Sequence, residues 1–220
     1  MIRNDCQKRI AFASLLVLFL ATASGCSRYA PTTPPQPKNR FMEITLTAGA
    51  NIRSDIYYYI VFETANPLSA DGPRPILSGA ERGKNWSYYI RLYNGVFTEK
   101  VISNINSIDE EPDLFNSNSP RFYQAAYSNN TIYVNVFIDQ FASATEPLSF
   151  NFITSLQPVT ATQEAIPAID YLGQPRISFT PYTGNNARES NYPQTSSHYV
   201  ADPDYLAADI THWYLNVYEK

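Results

Sequence analysis

Asn94-Gly95 separates two six-residue runs, Tyr-Tyr-Ile-Arg-Leu-Tyr and Val-Phe-Thr-Glu-Lys-Val, rich in aromatic and β-branched residues. That arrangement commits the segment to an antiparallel hairpin. Asn-Gly accepts the positive φ angles of a type I′ turn, whose twist matches that of the flanking strands. A two-residue loop fixes the register: Tyr93 opposite Val96, Leu92 opposite Phe97, Ile90 opposite Glu99 and Tyr88 opposite Val101. One face then carries Tyr88, Ile90, Leu92, Phe97 and Val101, and the other Arg91, Thr98 and Lys100 with Tyr89, Tyr93 and Val96. Glu99 is the misfit on the apolar face, and its place is expected near a sheet edge.

A lone hairpin is marginal in water, so further strands must cover its apolar face. Met42, Ile44 and Leu46 alternate with Glu43, Thr45 and Thr47, the pattern of a half-buried strand, whereas Ile56 to Phe62 is apolar on both faces, as a central strand would be. These two are expected to pair across Ala48 to Asp55. A second hairpin, Phe122 to Ile138, turns at Asn129-Asn130. The same counting puts Tyr123, Ala125, Tyr127, Ile132, Val134, Val136 and Ile138 on one face and Gln124, Ser128, Thr131 and Asn135 on the other. Leu148, Phe150, Phe152 and Leu156 alternate with Ser149, Asn151 and Ser155. Ile177-Ser178-Phe179 adds a short strand, and Trp213, Leu215 and Val217 line a C-terminal one. Residues 157–200 read as a long loop.

About eight strands without a long helical period predict an all-β domain, a two-sheet antiparallel β-sandwich. At most one short helix is expected near the C-terminus, at Asp202-Pro203-Asp204-Tyr205-Leu206-Ala207-Ala208, where Asp caps and Pro takes the first position. Seventeen Tyr and twelve Phe beside only 16% charged residues agree, because such residues suit pleated, half-buried surfaces.

Ahead of this domain stands an address. Arg3, Lys8 and Arg9 form a basic start and Ile10 to Ala23 an apolar run of about 14 residues, the layout of a secretory signal. The run is too short to span a hydrocarbon core of about 30 Å. Ala21-Thr22-Ala23 fits ordinary signal-peptidase cleavage, which would release a soluble product. Ala23-Ser24-Gly25-Cys26 instead resembles the lipobox of bacterial lipoproteins, with Ala23 where that family most often has Leu. Cysteine usage favours the second reading: Cys6 and Cys26 are the only two, Cys6 leaves with the signal, and an unlipidated product would carry one unpaired thiol into an oxidising compartment. The resemblance implies a mature N-terminus with three acyl chains on Cys26, a membrane partner held by lipid. It also implies a cell-envelope location, sorted to the outer membrane in a two-membrane bacterium because Ser27 rather than Asp follows the Cys.

The expected organisation is therefore residues 1–25 as signal peptide, 26–40 as lipidated Cys and tether, and 41–220 as β-sandwich. Four prolines between Cys26 and Arg40 favour an extended polyproline II tether reaching roughly 40 Å. Removing residues 1–25 takes Arg3, Lys8 and Arg9 against Asp5 from 16 basic and 20 acidic side chains, leaving 13 and 19, a net charge of −6. Such a chain is a poor partner for nucleic acid or an anionic membrane surface.

Candidate binding residues lie before the first hairpin. Gly79-Ala80-Glu81-Arg82-Gly83-Lys84-Asn85-Trp86 follows a Gly72-Pro73-Arg74-Pro75 turn. In a ligand loop, Trp86 would offer a stacking face while Arg74, Arg82 and Asn85 donate hydrogen bonds to an uncharged glycan. The alternative is a structural connection with Trp86 as a core plug. From Tyr57 to Tyr93 the pattern of strand, acidic residue, Gly-Pro-x-Pro turn and Gly/Asn/Trp segment resembles a domain of uncharacterised bacterial surface lipoproteins, which implies the sandwich and the location but no activity.

Catalytic chemistry finds no motif. Nucleophile-elbow, zinc-protease, P-loop and dinucleotide patterns are absent, and His198 and His212 are the only histidines. Neither Asp109-Glu110-Glu111-Pro112-Asp113 nor the set Asp202, Asp204 and Asp209 has the spacing of a calcium loop, and Glu63 with Asn66 and Asp71 is no closer. No cofactor or metal is expected. The expectation is a lipid-anchored, non-enzymatic envelope protein that binds carbohydrate or another envelope component. A structural accessory subunit of an envelope complex, and a hydrolase with an unrecognised site, are the alternatives.

Overall fold

A computed structural model describes residues 39–64, 68–69, 72–74, 85–103, 111–143, 146–158, 168–172, 177–179, 188–191 and 205–220. The chain divides into two compact units, Met1–Pro37 and Lys38–Lys220. The first unit, with the expected signal and Cys26, lies outside the described residues, as do Arg82, His198, Asp202 and Asp204.

Twelve described strands build two antiparallel sheets. In chain order they are β1 (Arg40–Ala48), β2 (Tyr57–Glu63), β3 (Tyr88–Tyr93), β4 (Val96–Val101), β5 (Asp113–Leu114) and β6 (Phe122–Ser128). Then follow β7 (Thr131–Phe137), β8 (Leu148–Ser155), β9 (Asp170–Tyr171), β10 (Ile177–Phe179), β11 (Arg188–Asn191) and β12 (Ile210–Glu219). The five-stranded sheet has the order β11-β12-β1-β7-β6, and the seven-stranded sheet β10-β8-β2-β3-β4-β5, with β9 also on β8. The sandwich expected from the alternation is the fold observed.

The Asn94-Gly95 hairpin has the counted register, Tyr93 with Val96 through Tyr88 with Val101, and both turn residues take positive φ, 48° and 75°. A Cβ on Gly95 would also lie 2.9 Å from Tyr127 Oη, the tip of an exposed side chain that can move aside. Gly95→Ala is expected to destabilise the domain by roughly 1–2 kcal/mol from the left-handed backbone alone, read as a shift in urea midpoint at unchanged m-value.

Two expectations fail. β1 does not pair with β2: it lies between β7 and β12 in one sheet, while β2 lies between β3 and β8 in the other. The intervening segment crosses between sheets, held at one end by Gly49 N–H on Asp209 O and Ile52 N–H on Asn129 O, and at the other by Asn94 N–H on Ser54 O. In the second hairpin the register shifts between Phe122 and Gln124, so Phe122 packs against the core and Tyr123 is turned outward, 37% exposed. An extra residue in one strand reverses the facing of those before it.

The main core lies between the sheets. Met42, Ile44, Leu46, Ile132, Val134, Val136, Leu215 and Val217 meet Ile60, Phe62, Ile90, Leu148, Phe150 and Phe152, all at most 3% exposed. Burial of such a side chain contributes about 1.5–3 kcal/mol. A second cluster of Tyr59, Val61, Trp86, Tyr89, Ile153 and Ala168 buries residues on the other face of the seven-stranded sheet. Hence the polar residues of β8 are out of water as well: Ser149 Oγ donates to Glu63 Oε2 at 3.0 Å and Asn151 Nδ2 to Pro73 O at 2.7 Å.

Glu99, the misfit, stands on the strand next to edge strand β5 and is buried. Tyr88 Oη donates to its Oε2 at 2.6 Å, Ser119 Oγ donates to Oε1, and Arg121 Nε lies 3.6 Å from Oε2. Burial first, and then the Glu99 charge, push the Tyr88 hydroxyl well above its ordinary range. The predicted C-terminal helix is reduced, in its described part, to a turn in which Ala208 N–H meets Tyr205 O at 2.7 Å. The start of β1 is clamped to a 3-10 turn, Ile138–Gln140, where Asp139 Oδ2 accepts from Arg40 N–H at 2.9 Å and Oδ1 from Arg40 Nε at 2.7 Å. Beside it, Lys220 N–H donates to Asn39 O at 3.0 Å, so both ends of the described domain share one rim of the five-stranded sheet.

Candidate functional site

The expected ligand loop is built as a plug. Trp86 is 4% exposed, its ring centroid 5.6 Å from that of Tyr59 and 5.8 Å from that of Tyr89, and its Nε1–H donates to Arg74 O at 2.7 Å. An indole buried on both faces with its one donor satisfied offers no stacking platform. Asn85 takes φ of 67°, and its Nδ2 donates to Gly72 O at 3.0 Å. Both residues thus hold the 72–74 segment against the sheet, and Arg74 contributes its backbone carbonyl to that bond. Arg82 lies outside the described residues.

The carboxylates are engaged separately. Glu63 accepts from Ser69 N–H at 2.7 Å and from the Ser69 and Ser149 hydroxyls at 3.0 Å, which anchors the start of the connection after β2. Asp170, fully buried, accepts from Ile210 N–H on Oδ2 at 2.7 Å and from Tyr171 N–H on Oδ1 at 2.8 Å. Burial raises its pKa to about 7, against the lowering effect of those two N–H groups, and neighbouring Asp209 adds to the rise. Among the described residues no three His, Cys, Asp or Glu side chains are grouped to hold a metal ion.

A different surface collects aromatic and polar groups: the outer face of the five-stranded sheet. Because β1 is flanked by β7 and β12, its outward residues generate four cross-strand rows. They read Phe137-Phe41-Tyr218, Asn135-Glu43-Asn216, Tyr133-Thr45-Tyr214 and Thr131-Thr47-His212. In the first row Phe41 packs on Phe137 at 5.5 Å, on Tyr218 at 5.6 Å and on Tyr123 of the bulged strand at 4.5 Å. Asn135, 2% exposed, fixes two rings at once, its Nδ2 donating to Tyr218 Oη at 2.6 Å and Tyr133 Oη at 3.2 Å. Tyr218 therefore reaches across β1 to an amide on β7. Burial raises the Tyr133 pKa, opposed by the Asn135 hydrogen bond and reinforced by the Glu43 charge.

Beyond these rings an open groove of about 410 Å³ is lined by Thr45, Thr47, His212, Trp213 and Tyr214. Trp213 turns inward to Phe150, with ring centroids 5.9 Å apart. The exposed His212 and half-buried Thr45, Thr47 and Tyr214 form the outer lining. Fixed rings beside hydroxyl, amide and carboxylate groups match the alternating apolar faces and hydroxyl edges of a sugar. Sequence alternation had already turned Glu43, Thr45, Thr47 and Asn135 outward. The rows themselves needed the β1–β7 and β1–β12 pairings, which join segments about 90 and 170 residues apart in the chain.

Among the described residues no helix is long and apolar enough to cross a membrane. No protein-family model, curated protein or solved structure matches the chain.

Proposed function

We propose that this chain is a lipid-anchored protein of the bacterial cell envelope and that its β-sandwich is a non-enzymatic carbohydrate-binding module. The observation that carries the binding reading is the outer face of the five-stranded sheet. Tyr133 and Tyr218 are locked there by the Asn135 amide, beside a groove lined by Thr45, Thr47, His212 and Tyr214. Rings held by hydrogen bonds lose little freedom on binding, which is what makes an aromatic platform effective. The anchor rests on the segment Ala23-Ser24-Gly25-Cys26 and on the absence of any further cysteine after it.

Two measurements test the two halves. Radiolabelled palmitate is expected to enter the wild-type chain in a bacterial host and not Cys26→Ser; soluble wild-type product beginning at Ser24 would instead identify ordinary signal-peptidase cleavage. On a broad glycan array, the wild type is expected to bind at least one envelope polysaccharide. Tyr214→Ala is expected to weaken that binding at least tenfold while the melting temperature moves little, since the ring is only half-buried. Binding that survives Tyr214→Ala and Tyr218→Phe alike would place the ligand on another surface.

A further inference from the structure

We propose that this face selects an amino sugar, with Glu43 receiving the sugar's ammonium group; the inference rests on the carbohydrate reading above and names the class of glycan. Glu43 is the only formally charged residue that β7, β1 and β12 contribute to the four rows; β11 adds Glu189 opposite Tyr214 at the sheet's edge. It is half-buried in the centre of the sheet, between Asn135 and Asn216, and makes no hydrogen bond or ion pair among the described residues. A carboxylate with no cation beside it, set among aromatic rings, is the complement of an ammonium group. The charge supplies a strong hydrogen-bond acceptor, and the ring faces attract a cation. A neutral glycan would leave that charge uncompensated as it covered the face, at a desolvation cost.

At the edge of this face Lys220 Nζ donates to Tyr123 Oη at 2.6 Å, the hydroxyl of the ring that packs against Phe41. The first row thus already holds one cation at its rim. Two residues inward along β1, Glu43 has none among the described residues.

Titration calorimetry of the full chain in detergent, with glucosamine hexamer and N-acetylglucosamine hexamer, tests the assignment. The two oligomers share rings and linkage and differ in the charge on nitrogen. The glucosamine oligomer is expected to bind at least tenfold tighter, and Glu43→Gln, which keeps shape and removes charge, is expected to erase that difference. Equal affinity for both oligomers, or a preference unchanged in Glu43→Gln, overturns the amino-sugar assignment and leaves the carbohydrate reading standing. Spermine serves as the control for general attraction to an acidic domain: if it binds as tightly as the glucosamine oligomer and competes with it, the assignment also falls. Failure of both oligomers and of every glycan on the array removes the carbohydrate reading with it.

Discussion

Phe62→Ala is expected to cost about 3–5 kcal/mol, the range for a fully buried aromatic truncated in a core that closes only partly around the gap. Phe62 is 0% exposed in the middle of the seven-stranded sheet, paired with Tyr88 on one side and Phe150 on the other. Its ring lies 5.8 Å from Tyr88, 5.4 Å from Phe141 and 6.0 Å from Phe150, so its loss removes one contact from each of three aromatic neighbours. Against a total stability of about 5–15 kcal/mol for a domain, that is about a fifth or more of the whole. Leu114→Ala, at a side chain 58% exposed on an edge strand, is expected to stay within about 0.5 kcal/mol. Urea denaturation of the two variants reads the contrast, and similar midpoints would refute the placement of the core.

Asp170 gives the second large effect, this one dependent on pH. Its folded pKa is raised to about 7 from an ordinary 3.8, chiefly by burial. Below about pH 4 the group is protonated in both states and its contribution is fully present. Between there and pH 7 the folded state holds a proton that the unfolded chain has released, so stability falls with rising pH by at most about 1.4 kcal/mol per unit. The expected result is a domain measurably less stable at pH 8 than at pH 5, by an amount on the order of 2–3 kcal/mol. Asp170→Asn should flatten that slope. Asp170→Ala, which strands the Ile210 and Tyr171 N–H groups, should cost on the order of 3 kcal/mol at pH 5 and less at pH 8, because it also removes the titrating group. A wild-type stability that rises from pH 5 to pH 8, or a slope retained in Asp170→Asn, would contradict the assignment. Denaturation at fixed ionic strength separates these outcomes.

Local patterns carried the sheets much further than they carried the site. The Asn94-Gly95 hairpin was legible pair by pair because turn chemistry and side-chain period act over a dozen residues. β2 was legible as a central strand because it is apolar on both faces. What the pattern did not hold was partner choice: β1 and β2 follow each other in sequence, yet each is satisfied by strands from far along the chain, β12 and β8 among them. The bulge at Tyr123 escaped for a related reason, since an extra residue leaves no mark in the alternation until the partner strand is known. Trp86 was read with both fates open, and burial decided the matter through a hydrogen bond to Arg74 O that no sequence spacing announces. The face proposed to bind ligand is likewise a property of pairing. Tyr133, Asn135, Glu43 and Tyr218 lie on three strands, and nothing local to any one of them marks it as part of a platform.

Lys220 N–H bonded to Asn39 O gives the domain a beginning and an end that nearly touch. The chain path from residue 39 to residue 220 consequently returns almost to its start, and the place where that path is cut is an accident of chain order more than a requirement of the sheets. A short Gly-Ser linker from residue 220 back to residue 39 would complete it. New ends opened at Asn129-Asn130 would separate β6 from β7 in sequence while each keeps its place in the sheet. Circular permutants tolerate such cuts where the opened turn is exposed and the old termini are adjacent. A permuted chain of this kind would present its ends at the opposite rim from Arg40, turning the same domain around on whatever it is joined to.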